Sequence, residues 1–216
     1  MITAAYTICK NEINRIHRWY EYASMFDYMV VLDTGSTDGT YEFLLEKAEK
    51  DPRFIVEQQI FFPFDYSEAR NYNLSMVPLE VDWCLSPDID EWFSINVLDE
   101  IQRTVLDDPD VTNIATTRLD IYSKDVFVGP PFEIPTNKIH RRYGYYWKQP
   151  IYEHLWPVNL TQHKEVYNDK IFLIHDQDTN KPRSSSYSAI MMRQYLEDET
   201  DCWNNWYLLK HFYREK

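Results

Sequence analysis

The chain has 216 residues with 44% hydrophobic content, enough to bury one sizeable core and within the range of one large α/β domain. A formal charge of −13, from 35 Asp+Glu against 22 Lys+Arg, argues against a basic face for nucleic acid, and so against a nuclease or another DNA enzyme. Cys9, Cys84 and Cys202 form no CxxC pair, no apolar run approaches the roughly 18 residues of a membrane span, and the start lacks a basic-then-apolar signal segment, so reduced thiols in the cytoplasm are expected.

Residues Ile2 to Cys9 form an apolar run suited to a buried strand, and Asn11 is placed to cap a helix in which Ile13, Ile16, Tyr20 and Ala23 recur at helical spacing. Tyr28 to Leu32 is a second strand, closed by Asp33-Thr34-Gly35-Ser36-Thr37-Asp38-Gly39-Thr40, where turn formers cluster and Asp38 can cap the next helix. Phe54 to Val56 gives a third strand. Asp65 and Glu68 then have the spacing of a capping box opening a helix through Asn73 and Leu74, and Val81 to Leu85 reads as a fourth strand. This alternation implies βαβ units and a parallel sheet, whose ligands bind beyond the carboxyl ends of the strands.

The second half changes character. Ile114 to Tyr122 reads as one long strand, and segments at Lys138 to Arg141, Tyr145 to Trp147, Ile151 to His154 and Ile171 to His175 suggest antiparallel additions. Helices near Ser186 to Leu196 and Trp203 to Phe212 would close the fold, and the last one simply stops, as in a first domain cut from a longer protein. Val128 to Pro135, with three prolines, is the expected acceptor-facing loop.

The chemistry centres on Ser86-Pro87-Asp88-Ile89-Asp90-Glu91, three acids in four positions directly after a buried strand. Carboxylates so placed suit Mg²⁺ or Mn²⁺, hard cations that also bind substrate phosphates and stabilise a diphosphate as it leaves. The alternative is a solvated acidic turn. A diphosphate also needs local cations here, because the protein's overall field repels it beyond a Debye length of about 8 Å. Asp33 follows strand two and can accept hydrogen bonds from a base or ribose, besides its role in the turn. Arg70, near a helix start, can pair with phosphate or simply form an ion pair. Asp176 and Asp178 make a second DxD, so position after strand four, not pattern, favours the first.

Taken in order, Thr7-Ile8-Cys9-Lys10-Asn11-Glu12, Val31 to Thr40, Ser67-Glu68-Ala69-Arg70-Asn71 and Asp88-Ile89-Asp90-Glu91 resemble the family 2 type of glycosyltransferases with the GT-A fold. The resemblance covers about the first 95 residues well and the rest weakly; a narrower likeness is to the first domain of a multidomain chlorella-virus glycosyltransferase. It implies one Rossmann-like GT-A domain over residues 1–216, with a mainly parallel sheet flanked by helices. Residues 1–95 would hold a nucleotide-sugar, UDP-linked by preference, and residues 96–216 a saccharide or glycan acceptor. Thr7 and Asn11 would shape the nucleotide pocket, with Asp33 on the base and Arg70 near the phosphates. Asp88 and Asp90 would lie at the ribose and at a Mn²⁺ or Mg²⁺ ion, Asp90 also serving catalysis.

On the acceptor side, Pro150-Ile151-Tyr152-Glu153-His154 resembles the family's segment ending in His-Glu, with Tyr152 in place of the His, which makes Glu153 a candidate catalytic base or a strand residue. His175 matches the late His that often supplies a third metal ligand, or is a structural strand-end His. Pro87 departs from the apolar residue usual there. The resemblance favours inversion at the sugar carbon, while the weak match of the acceptor half leaves retention open. Two rival readings are a non-catalytic nucleotide-sugar-binding module, and a nucleotidyltransferase, against which the absence of a Gly-rich basic phosphate loop counts.

Overall fold

The computed structural model describes residues 1–122 and 132–177. Ten strands and four helices are described there: β1 (Thr3–Cys9), α1 (Ile16–Ala23), β2 (Tyr28–Asp33), α2 (Thr40–Ala48), β3 (Phe54–Gln58), α3 (Tyr66–Met76), β4 (Trp83–Leu85), β5 (Glu91–Phe93), α4 (Val97–Asp107), β6 (Asn113–Tyr122), β7 (Phe132–Arg141), β8 (Tyr145–Lys148), β9 (His154–Pro157) and β10 (Glu165–Gln177). The two expected closing helices, residues 128–131 of the proline-rich segment, Asp178 and Cys202 lie outside the described residues.

Eight strands form one sheet in the order β3-β2-β1-β4-β7-β6-β10-β5. From β3 to β4 neighbours are parallel, as the βαβ pattern predicts; β7 then runs antiparallel to both β4 and β6, β10 lies parallel to β6, and β5 closes the edge antiparallel to β10. The carboxyl ends of β1, β2, β4, β6 and β10 therefore share one edge. This is the expected α/β sheet with antiparallel additions in the second half, except that the segment from Ile171 to His175, expected among those additions, lies in β10, which is parallel to β6 and antiparallel to β5.

Strand alternation divides the core between the two faces. Ala5, Met29, Val31, Trp83 and Leu85 pack with Ile16 and Trp19 of α1, Leu44 of α2 and Val97 and Ile101 of α4. Ala4, Tyr6, Val30 and Cys84 face the other way, against Leu74 of α3 and Trp147 and Leu155 of the β8–β9 hairpin. Burying each such large apolar side chain contributes about 1.5–3 kcal/mol.

Several local expectations change. The first helix starts at Ile16 rather than beside Asn11, whose φ of 56° puts it in the left-handed region of the preceding turn. Gly39, at φ 95°, occupies the position before α2, while Asp38 accepts from the backbone N–H groups of Thr40 and Ile13 and so ties two turns together. The strand expected from Ile151 begins only at His154, because the chain turns at Gln149 and Tyr152, whose φ values are 83° and 57°. The Asp65 cap is present: its carboxylate accepts from the Glu68 backbone N–H.

Candidate active site

The turn after β4 is built from its own acids. Glu91 N donates to the Asp88 carbonyl at 2.9 Å, and Asp88 N donates to Glu91 Oε2 at 3.0 Å, so the two residues close the loop reciprocally. Trp19 Nε1 donates to the Pro87 carbonyl at 3.3 Å, anchoring the turn to α1. The resulting loop buries Glu91, 2% exposed, and leaves Asp90 partly open, its side chain 26% exposed.

Strand register then delivers partners. Leu85 pairs with Ile139 on β7, which puts Lys138 beside the turn, its Nζ 2.9 Å from Asp88 Oδ2 and 2.5 Å from Glu91 Oε2. Pairing of His175 on β10 with both Glu91 on β5 and Asp120 on β6 brings the imidazole alongside Asp90, with Nε2 3.5 Å from Asp90 Oδ2 and Nδ1 2.8 Å from Asp120 Oδ1. Arg118, two residues before Asp120 and so on the same strand face, contacts Asp120 at 2.9 Å and Glu91 at 3.6 Å. Arg15, in the turn before α1, adds a 3.3 Å pair to Asp90 Oδ2.

Arg70 enters from the first turns of α3. Its Nη2 lies 2.6 Å from Asp88 Oδ1 and its Nε 2.6 Å from Glu153 Oε1, and its guanidinium stacks 4.8 Å from the Trp147 ring centre. The neighbouring Asn71 makes both a donor and an acceptor bond to the Trp147 backbone, at 2.8 and 2.7 Å, which docks the hairpin on α3 and carries Glu153 to Arg70. The guanidinium is 5% exposed, and Nη1 is buried with no hydrogen-bond partner.

The cluster sets the carboxylates of Asp88, Asp90, Glu91, Asp120 and Glu153 against the cations Arg15, Arg70, Arg118 and Lys138, with His175 between. A strongly acidic chain thus gathers four cations around its acidic turn, where they nearly balance five carboxylates. Burial opposes the charge of Asp88, but Arg70 and Lys138 on its two oxygens hold its carboxyl far below the usual carboxylate range. Burial likewise opposes the charge on Asp90, which its hydrogen bond with His175 reverses, leaving the carboxyl below its ordinary value. For His175 burial works against protonation, and the hydrogen bond to Asp90 together with that to Asp120 raises it above its ordinary value.

Among the described residues no three His, Cys, Asp or Glu side chains close on one point as in a three-ligand metal site. The donors nonetheless fit a hard cation that takes one or two protein ligands and completes its shell with phosphate and water. Asp90 Oδ2 and His175 Nε2 are 3.5 Å apart, and two ligands of one ion at about 2.1 Å each lie at most roughly 4.2 Å apart. His175 Nδ1 meets both Asp120 Oδ1 at 2.8 Å and Arg118 Nη2 at 2.5 Å; with its proton given to Asp120, the contact that commonly orients a metal-binding imidazole, Nε2 is left to face an ion. Asp88 differs: both its oxygens already meet cations.

The other predicted residues surround the ends of β1 and β2. Asp33 is fully buried; its Oδ1 accepts from Gly35 N, Ser36 N and Gln58 Nε2, each at 2.9 Å, and Oδ2 from Cys9 Sγ at 3.6 Å. Burial opposes its charge and these donors, Ser36 and Gln58 foremost, hold it below the usual value. Asn11 Oδ1 accepts from Thr37 N at 2.8 Å, and Asn11 N donates to Ser36 Oγ, joining the turns after β1 and β2. Thr7 is buried within β1. Since β1 separates β2 from β4, this group lies about 10 Å across the sheet edge from the acidic turn, two strand spacings. Sequence reasoning missed Lys138, Arg118, Asp120 and Arg15; the i, i+2 spacing of Arg118 and Asp120 in a strand was the one available signal.

The fold is that of the GT-A class. The chain aligns with S. aureus TarS 1–349 in complex with UDP-GlcNAc over 91% of its own length and 66% of that chain, at 14% identity and a TM-score of 0.62. It aligns equally with a longer S. aureus TarS structure, at 13% identity and a TM-score of 0.59, and there spans 39% of that chain. GalNAc-T7 with UDP, GalNAc and Mn²⁺ matches over 90% of this chain and 47% of that one, at 10% identity and a TM-score of 0.59. These neighbours are GT-A glycosyltransferases. No protein-family model and no curated protein matches the sequence.

Proposed function

We propose that this domain is a glycosyltransferase of the family 2 type that moves a sugar from a nucleoside-diphosphate sugar, UDP-linked by preference, to a saccharide or glycan acceptor. The observation that carries the reading is the place of the acidic turn: Asp88 and Asp90 follow β4 at the carboxyl edge of the parallel strands, where Arg70, Lys138, His175 and Glu153 converge. Solved neighbours with this fold hold UDP-GlcNAc or UDP with Mn²⁺, which supports the choice of donor and ion.

In this reading Asp90 and His175 hold Mn²⁺ or Mg²⁺, whose charge would stabilise the departing diphosphate. Asp88, fixed by Arg70 and Lys138, faces the ribose side. Thr7, Asn11 and Asp33 shape the nucleoside end, Asp33 by locking the turn that borders the base. Arg70 aligns Asp88 and Glu153 at the phosphate end, and Glu153 takes the proton of the acceptor hydroxyl as it attacks. The donor thus rests mainly on residues 1–95 and the acceptor on residues 96–216, in the cytoplasm.

Among the described residues no helix is long and apolar enough to cross a membrane. The test is UDP release from a panel of UDP-sugars, with and without Mn²⁺ and with saccharide acceptors. Mn²⁺-dependent, acceptor-stimulated release supports the reading. Tight binding without turnover would favour a binding module, and no binding of any nucleotide or nucleotide-sugar would overturn both.

A further inference from the structure

Lys138 has no part in the sequence pattern, yet it is the most enclosed cation of the cluster after Arg70, its side chain 13% exposed. Its Nζ lies 2.9 Å from Asp88 Oδ2 and 2.5 Å from Glu91 Oε2, between two acids three positions apart. Glu91 itself is 2% exposed, and its Oε2 also accepts from Asp88 N at 3.0 Å, so the pair is fixed by the turn and cannot swing away. An ammonium between two rigid carboxylates occupies the position in which a hard divalent cation would find two oxygen ligands, since such ions bind carboxylates at about 2.0–2.6 Å.

We propose that Lys138 is a positioning residue: its ammonium fills the gap between Asp88 and Glu91 and thereby confines a divalent cation to Asp90 and His175. This deepens the metal-dependent reading above and rests on it. Three acids of the cluster, Asp88, Glu91 and Asp120, meet the two cations Lys138 and Arg118 at short range, while Asp90 meets Arg15 and His175. With Lys138 in place, Asp88 has no oxygen free for a metal, and the nucleotide-free site offers one carboxylate and one imidazole. Such a pair binds a divalent ion weakly until phosphate oxygens complete the shell, which makes metal and nucleotide enter together. Without Lys138, Asp88 and Glu91 become ligands and the ion no longer waits for the nucleotide.

The experiment is a Mn²⁺ titration of the nucleotide-free protein, followed by loss of the aqueous Mn²⁺ electron paramagnetic resonance signal. Lys138→Met is expected to bind Mn²⁺ roughly tenfold or more tightly than the parent, since one fixed positive charge at contact distance has been removed from two carboxylates. Lys138→Arg keeps the charge between the acids and is expected to behave as the parent. Because Lys138→Met takes one partner from each of two acids, leaving Asp88 with Arg70 and Glu91 with Arg118, the double variant Lys138→Met/Glu91→Gln is run beside it. It restores the net charge of the cluster and still frees Asp88, so tighter Mn²⁺ binding there supports occupation of Asp88 by Lys138 rather than a general field effect. Parent-like Mn²⁺ affinity in the double variant, or equal gains in Lys138→Arg, would overturn the proposal. UDP binding is measured on the same preparations: its absence from the parent would sink the glycosyltransferase reading, whereas the titration without nucleotide decides the role of Lys138 alone.

Discussion

Arg70 and Glu153, 83 positions apart, meet at 2.6 Å, and this pair joins α3 of the parallel half to the loop before β9. The same guanidinium holds Asp88 at 2.6 Å, so the donor-side turn and the acceptor-side carboxylate share one buried cation. Removing it takes this cation from Glu153 and leaves Asp88 with Lys138 alone. Arg70→Ala is expected to lower stability by about 3 kcal/mol, the cost of breaking a buried pair from one side. Urea denaturation measures this, and a midpoint like the parent's would show that the triad carries no structural weight.

Glu153→Gln keeps an oxygen that can accept from Arg70 but removes the proton acceptor. UDP-sugar affinity should stay near the parent's while transfer falls by about 10²- to 10⁴-fold, the usual contribution of general acid–base catalysis. Steady-state transfer within a factor of about three of the parent would return Glu153 to the role of a strand-end residue that pairs with Arg70.

Asp33 has three donors on one oxygen and none of its surface exposed. Asp33→Ala orphans the Gly35 and Ser36 N–H groups and the Gln58 amide, and is expected to cost about 1–3 kcal/mol. If the folded variant binds UDP as the parent does and is equally stable, neither the turn nor the nucleoside pocket depends on it.

His140 supplies the pH dependence. Its Nε2 lies 2.9 Å from the Tyr6 hydroxyl, which accepts from Trp147 Nε1, and its Nδ1 lies 2.7 Å from the Arg141 carbonyl. The carbonyl requires a proton on Nδ1, so Nε2 accepts and the ring is neutral. Burial pushes its pKa down from 6.5 to about 4. Between these values the unfolded chain binds the extra proton and the folded chain does not, so stability is full above pH 6.5 and is lost as pH falls toward 4. From pH 7 to pH 5 this one residue should remove about 2 kcal/mol, a drop that His140→Asn lacks. Denaturation at both pH values compares the two, and equal losses would assign the acid sensitivity elsewhere.

The first four strands were legible because each is a short apolar run, sharpest where turn formers follow at once, as in Tyr28 to Leu32 before Asp33-Thr34-Gly35. The acidic turn and Arg70 were legible for the same local reason. Lys138 and His175 were not joined to it by any local signal, since they reach Asp88 and Asp90 only through strand register 50 and 85 positions along the chain. Helix α4 carries Val97, Ile101 and Thr104 inward at helical spacing, a helix that the strand-by-strand pattern left unassigned between the acidic turn and β6. Strand β5 has three residues, too few for a period, and is held by pairing with β10. The shared role of Arg70 was invisible, because nothing in the sequence around Glu153 reveals that the hairpin docks on α3.

Asp90, beside His175, is expected to make nucleotide binding depend on a divalent cation. Calorimetric titration of UDP into the parent and into Asp90→Asn, each with Mn²⁺ and with chelator, tests it directly. Mn²⁺ is expected to strengthen UDP binding to the parent, and Asp90→Asn, which keeps the shape and loses the charge, to lose most of that gain. Unchanged UDP affinity in the variant, or full affinity of the parent in chelator, would contradict it.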